Sequence, residues 1–141
     1  MPVRTATAQW NGTLKEGKGE MVLGNGAQKY PFSFSSRMED GKGSNPEELL
    51  ASALAGCYSM ALSADLGNAG FEAQQISTTA KANFSKDSGK WTVESMDLDV
   101  KASVPGIDDA KFQQIAEGTK SGCPVSRALS GVKINVSAML A

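Results

Sequence analysis

The sequence predicts an α+β fold in which antiparallel sheet is covered by segregated helices. Three observations predict it. The elements read in the order βββ-α-ββ-αα-β, which lacks the regular strand–helix alternation of a parallel doubly wound fold. Three segments alternate apolar and polar residues with the period of a half-buried strand: Ile76 to Phe84, Met96 to Val104, and Val132 to Leu140. One long stretch around residues 46–66 is apolar on nearly every side of a helix. A chain of 141 residues without internal repeats is the size of one domain, so residues 1–141 are expected to form a single unit.

The elements follow in order. Thr5 to Trp10, Glu20 to Leu23 and Pro31 to Ser36 read as short strands, with a turn at Asn25-Gly26. Asn45-Pro46-Glu47-Glu48 is a helix start: Asn caps, Pro suits the first helical position, and Glu48 lies where a capping box needs it. The helix is expected to reach about Leu66, with Gly67 as the left-handed residue beyond it. Lys86-Asp87-Ser88-Gly89 is a hairpin turn between the next two strands. Asp108 caps a second helix, with Ile107 and Phe112 spaced as a hydrophobic staple, ending near Gly122. Cys123-Pro124 opens a short third helix that stops at Gly131. A small domain has difficulty covering every side of an apolar helix, and a homodimer sharing its central helices would solve this.

Composition excludes several functions. With 14 Lys and Arg against 15 Asp and Glu, the net charge of −1 gives no field that would attract a nucleic acid or an anionic membrane. The N-terminus, Met1-Pro2-Val3-Arg4-Thr5, has neither the apolar core nor the cleavage site of a secretory signal, so a cytoplasmic location is expected. The stretch Leu49 to Leu66 approaches the length of a membrane span, but it is built mostly on Ala and carries Ser52, Gly56, Ser59, Ser63 and Asp65. It reads as a buried helix. Cys57 and Cys123 form neither a C-x-x-C pair nor a zinc spacing, and a reducing compartment would keep them as thiols unless they are used. The chain contains no histidine, which removes every Ser-His and Cys-His hydrolase arrangement and the usual zinc sites.

Four residues are candidates for chemistry. Cys57 lies about eleven residues inside the long helix, too far from its positive end to be activated by the dipole. By composition it is either a small apolar core residue or a nucleophile. Cys123, at a helix N-terminus, is either a buried cap or a second reactive thiol. A thiolate without an imidazole needs a cation, and Arg37, at the end of a strand that leads through Gly41-Lys42-Gly43 to the helix of Cys57, is best placed to supply one. Its alternative is an ordinary solvated charge. Glu47 lies close to three helical turns before Cys57, where it favours the helix dipole or pairs with and orients the arginine.

These residues fall within recognisable motifs. Gly43-Ser44-Asn45-Pro46-Glu47-Glu48-Leu49-Leu50, continued by Ala55-Gly56-Cys57-Tyr58-Ser59-Met60-Ala61-Leu62, resembles the central-helix signature of the osmotically inducible protein C / organic hydroperoxide resistance family. Val104-Pro105-Gly106-Ile107-Asp108 and Gly122-Cys123-Pro124-Val125-Ser126 resemble its second signature, and with Trp10-Asn11-Gly12 the likeness spans nearly the whole chain. The context Phe34-Ser35-Ser36-Arg37-Met38-Glu39 is closer to the osmotically inducible branch. The resemblance implies an intertwined homodimer in which sheets from both chains enclose two central helices, with active sites at the interface. It also implies a peroxidase that prefers organic hydroperoxides and needs no metal, haem or flavin. Within it Cys57 attacks the peroxide and becomes a sulfenic acid, and Cys123 condenses with it to a disulfide. Arg37 stabilises the thiolate and polarises the peroxide, Glu47 pairs with Arg37, and a dithiol, such as a lipoyl group, is the reductant. Two other readings stand beside this one. One is a non-catalytic binding or stress domain with inert thiols; the other is an acyl-transfer enzyme, for which the chain offers no general base.

Overall fold

Strand alternation and turn residues shape the N-terminal part of the chain. The structure is a computed structural model describing residues 1–141, which divide into two compact units, Met1–Leu49 and Leu50–Ala141. In the first, β1 (Ala6–Asn11), β2 (Lys18–Leu23) and β3 (Lys29–Phe32) form an antiparallel meander in the order β1-β2-β3. Gly19 pairs with Trp10 on one side and Phe32 on the other. The two rings close over it with centroids 5.4 Å apart. A Cβ at Gly19 would lie 2.5 Å from the Phe32 ring and 2.7 Å from Trp10, so only glycine lets the rings meet.

The third strand ends sooner than the sequence implies. Residues 34–38 form a short helix, α1 (Phe34–Met38), where the apolar pattern predicts strand through Ser36. The cause is a capping box made by two serines. Ser33 Oγ accepts the Ser36 N–H at 3.1 Å, and Ser36 Oγ accepts the Ser33 N–H at 2.8 Å. Arg37 therefore sits in a helix and not at a strand end.

The long helix α2 (Pro46–Asn68) begins where Asn45 predicts: its Oδ1 accepts the Glu48 N–H at 2.7 Å, while its Nδ2 donates to the Ser36 carbonyl at 3.2 Å. It runs two residues past the expected end. Gly67 stays helical, and the left-handed position falls to Gly70 (φ 91°), after which the Phe71 N–H donates to the Leu66 carbonyl at 2.9 Å.

In the second unit β4 (Gln75–Asp87) and β5 (Lys90–Ser103) form a long hairpin. Ser88 and Gly89 both have positive φ, 49° and 81°, as a two-residue turn of this hand demands. The last strand, β6 (Lys133–Leu140), pairs with β5 in parallel, so the sheet β4-β5-β6 is mixed where the sequence predicts an antiparallel one. Two helices, α3 (Asp109–Thr119) and α4 (Pro124–Ala128), separate β5 from β6 and supply the crossover that a parallel pair requires. Both stop about three residues short of the expected glycines. Asp108 caps α3 as predicted, accepting the Lys111 N–H at 2.8 Å.

The core of this unit joins the inner face of β5 (Met96, Leu98, Val100, Ala102) to a seam on α2 (Leu54, Tyr58, Leu62, Leu66) and to Phe112 and Ala116 of α3. Three side-chain hydrogen bonds lock α2 in place. Tyr58 Oη donates to the Ala116 carbonyl at 2.8 Å, Thr119 Oγ1 to Asp65 Oδ2 at 2.6 Å, and the hydroxyls of Ser59 and Thr78 lie 2.7 Å apart. The other side of α2, with Ala53, Gly56, Met60 and Ala64, is exposed in the single chain, and Met60 is 78% exposed. The helix is long enough, and at mean hydropathy 1.4 apolar enough, to be weighed as a membrane span. Its continuous buried seam and the Asp65–Thr119 bond are those of a core helix.

Replacing Tyr58 by Phe keeps the ring and removes the bond to Ala116. The Tyr58→Phe variant is expected to unfold with about 1 kcal/mol less stability, read as a Tm lower by roughly 2–5 °C in a thermal melt.

Candidate active site

The two thiols converge because of the α2 seam. Cys57 immediately precedes Tyr58, which the seam buries, and so its side chain lies at the edge of the core, half-buried. Cys123 caps α4, which the crossover carries back against α2, and it is 1% exposed. Neither is in a disulfide. Cys57 packs against the core cluster that contains Cys123, and each thiol shifts the other's proton affinity.

Ser126 completes the arrangement around Cys123. Its N–H donates to Cys123 Sγ at 3.3 Å, the Cys123 S–H donates to Ser126 Oγ at 3.2 Å, and that hydroxyl donates to the Cys123 carbonyl at 2.9 Å. Burial pushes the Cys57 thiol up; a hydrogen bond from the Val125 N–H works against this, and the neighbouring Cys123 sulfur adds to it. Burial also opposes the Cys123 thiolate, but the Ser126 hydroxyl and N–H, with Cys57 and the Val125 N–H, outweigh it and bring Cys123 below the ordinary thiol range. Together these contacts favour a singly charged pair.

Arg37 and Glu47 form a second pair, in the N-terminal unit. Arg37 Nε lies 3.0 and 3.2 Å from the two Glu47 carboxylate oxygens, and Nη2 lies 2.7 Å from Oε1. This forked geometry fixes the plane of the guanidinium. The Glu47 side chain is 12% exposed against 38% for Arg37, so the bond is better shielded from water than a surface ion pair. Arg37 also borders a groove of 270 Å³ lined by Trp10, Leu14, Phe32, Phe34 and Met38. The four predicted residues thus form two pairs, one in each unit.

The sequence from residue 39 to 137 matches the family model described as OsmC-like protein. The chain belongs to the OsmC family. It is 42% identical over 123 residues to the peroxiredoxin OsmC of Escherichia coli, covering 86% of each chain. The OsmC-like fold is equally clear in solved structures. An OsmC-like protein from Mycoplasma pneumoniae superposes with a TM-score of 0.75 at 17% identity, covering 99% of this chain and 97% of that one. The organic hydroperoxide resistance protein OhrB of Bacillus subtilis does so with 0.73 at 22% identity, covering 97% and 98%.

In the sequence alone Ser126 is a motif residue without a task. A hydroxyl three residues after a helix cap has the spacing of a capping box, and here the cap's sulfur accepts the Ser126 N–H in place of the usual oxygen. The groove beside Arg37 is not legible in sequence because its aromatic residues come from two separate segments, Trp10 and Phe32 with Phe34.

The thiol pair carries a titration expectation. In the reduced protein one thiol proton should leave below the ordinary range and the second above it, because the first charge opposes the second. Ultraviolet thiolate absorbance followed against pH should therefore rise in two separated steps in the parent and in one step in either Cys57→Ala or Cys123→Ala; a single unshifted step in the parent would contradict the pairing.

Proposed function

We propose that this chain is a thiol-dependent peroxidase that reduces organic hydroperoxides, and hydrogen peroxide more weakly, with Cys57 as nucleophile and Cys123 as resolving thiol. The observation that carries the reading is the pair of free thiols, Cys57 and Cys123, packed in one core cluster and coupled to each other. It occurs in a chain 42% identical to a protein named a peroxiredoxin. In the first step the Cys57 thiolate attacks one oxygen of the peroxide. The S–O bond forms as the O–O bond breaks, and the alkoxide leaves as alcohol after taking a proton. In the second, the Cys123 thiolate attacks the Cys57 sulfenic acid, S–S replaces S–O, and hydroxide leaves as water. An external dithiol, of the lipoyl type, returns two electrons by thiol–disulfide exchange.

Arg37 is the activating cation in this reading. As an arginine it is suited to stabilise a thiolate and a peroxide oxygen, and Glu47 holds the Arg37 fork in one plane for that task. It also resolves a tension in the thiol pair. Burial alone leaves the proton on Cys57, and a cation at that sulfur moves it to Cys123. The apolar groove beside Arg37 supports alkyl hydroperoxides over hydrogen peroxide. The exposed apolar side of α2 supports a homodimer in which two central helices cover each other, the 141 residues acting as one domain. A reducing cytoplasm would keep both thiols ready, and the cycle balances with peroxide and dithiol alone.

Peroxide consumption with a dithiol reductant tests the reading. The parent protein should consume an alkyl hydroperoxide faster than hydrogen peroxide, Cys57→Ser should consume neither, and turnover in Cys57→Ser would refute the assignment. Arg37→Met should lower kcat/KM by roughly 10- to 100-fold, the loss of charge-assisted hydrogen bonds to the reacting atoms. The dimer has its own check: Met60→Glu places a charge on the exposed side of α2 and should give monomers in sedimentation, whereas an unchanged dimer would move the interface elsewhere.

A further inference from the structure

We infer that Ser126 is a further catalytic residue, whose hydroxyl reverses its hydrogen bond during the cycle to hold the Cys123 thiolate for the resolving step. The inference rests on the proposed role of Cys123 and deepens it. Three contacts place Ser126 on the reacting sulfur: its N–H at 3.3 Å, its Oγ at 3.2 Å, and the bond from that Oγ to the Cys123 carbonyl at 2.9 Å. The arrangement recorded is that of the protonated thiol. Cys123 donates to Ser126 Oγ, and the hydroxyl proton is turned away to the carbonyl.

The first step of the cycle needs this state, with the proton on Cys123 and the charge on Cys57. The second needs the reverse. Once Cys57 is a sulfenic acid, the charge that favoured a proton on Cys123 is gone. The Cys123 thiol must then lose its proton inside the core, where it is 1% exposed and water is a poor partner for the anion. A rotation about the Ser126 Cβ–Oγ bond turns the hydroxyl from acceptor to donor and gives the anion a hydrogen bond, while the Ser126 N–H stays in place. Ser126 is itself 5% exposed, so the hydroxyl has few competing partners. Atoms and charge balance: the proton of Cys123 leaves to solvent, its sulfur pair forms the S–S bond, and the Cys57 S–O bond breaks to release hydroxide.

A single-turnover experiment separates this inference from the reading it rests on. Reduced protein is mixed with tert-butyl hydroperoxide, quenched with dimedone at intervals, and scored by mass spectrometry for trapped sulfenic acid and for disulfide. In Ser126→Ala the conversion of sulfenic acid to disulfide should slow roughly tenfold at neutral pH, the loss of one hydrogen bond to an anion. The deficit should close at high pH, where the thiolate forms without help; its rise with pH should move up by about one unit. Ser126→Thr, which keeps the hydroxyl, should restore the rate. A deficit equal at every pH, or conversion at the parental rate in Ser126→Ala, would overturn the inference and leave the peroxidase cycle standing. Cys123→Ser is the control for that cycle: its sulfenic acid should persist, whereas loss of the trapped sulfenic acid at the parental rate in this variant would instead overturn the role of Cys123 itself.

Discussion

The buried seam of α2, with Leu54, Tyr58, Leu62 and Leu66 recurring every four residues, is the constraint on which the thiol arrangement depends. Leucines at that spacing fix the rotation of the helix about its own axis, because any other rotation would expose them and lose roughly 2 kcal/mol for each. With the rotation fixed, Cys57 is held at the rim of the core, next to a tyrosine that cannot turn away from Ala116. The crossover through α3 and α4 then delivers Cys123 to the same rim. Neither thiol is placed by a local motif alone. Each is placed by an element whose apolar residues pack into the same core.

That division explains what the sequence revealed. The long helix, its cap at Asn45, the β4–β5 hairpin and the cap at Asp108 all follow from local rules, and each stands where those rules put it. Arg37 was misplaced on a strand because Pro31-Phe32-Ser33-Phe34 alternates like one. The competing signal, Ser33 and Ser36 capping each other, is weak in sequence, since serine is common and Ser at the third position is a less usual partner than Glu. The pairing of β6 is a different kind of miss. Its alternation predicts a strand, but alternation carries no direction, and only the length of the crossover argues for a parallel partner.

The candidate site was legible in another way. Chain patterns and likeness to a family point to the four residues, yet the electrostatic asymmetry between the thiols is invisible in them, because it comes from burial and from hydrogen bonds by the Ser126 hydroxyl and the Ser126 and Val125 backbone groups. Spacing shows which residues exist. It does not show which of two sulfurs holds the proton. In this chain that choice is balanced by opposing contacts, and a balanced pair is sensitive to a single nearby cation.

The unequal exposure of the two thiols has a consequence for recycling. In the proposed cycle the disulfide joins a half-buried sulfur to one that is 1% exposed, so an incoming dithiol can make its mixed disulfide only at Cys57. The departing sulfur is then Cys123, the thiol whose proton affinity the Ser126 and Val125 contacts lower, and a less basic thiolate leaves faster. The same packing that hides Cys123 thus gives reduction a direction: the reductant enters where the peroxide was cut, and the interior thiol is the leaving group.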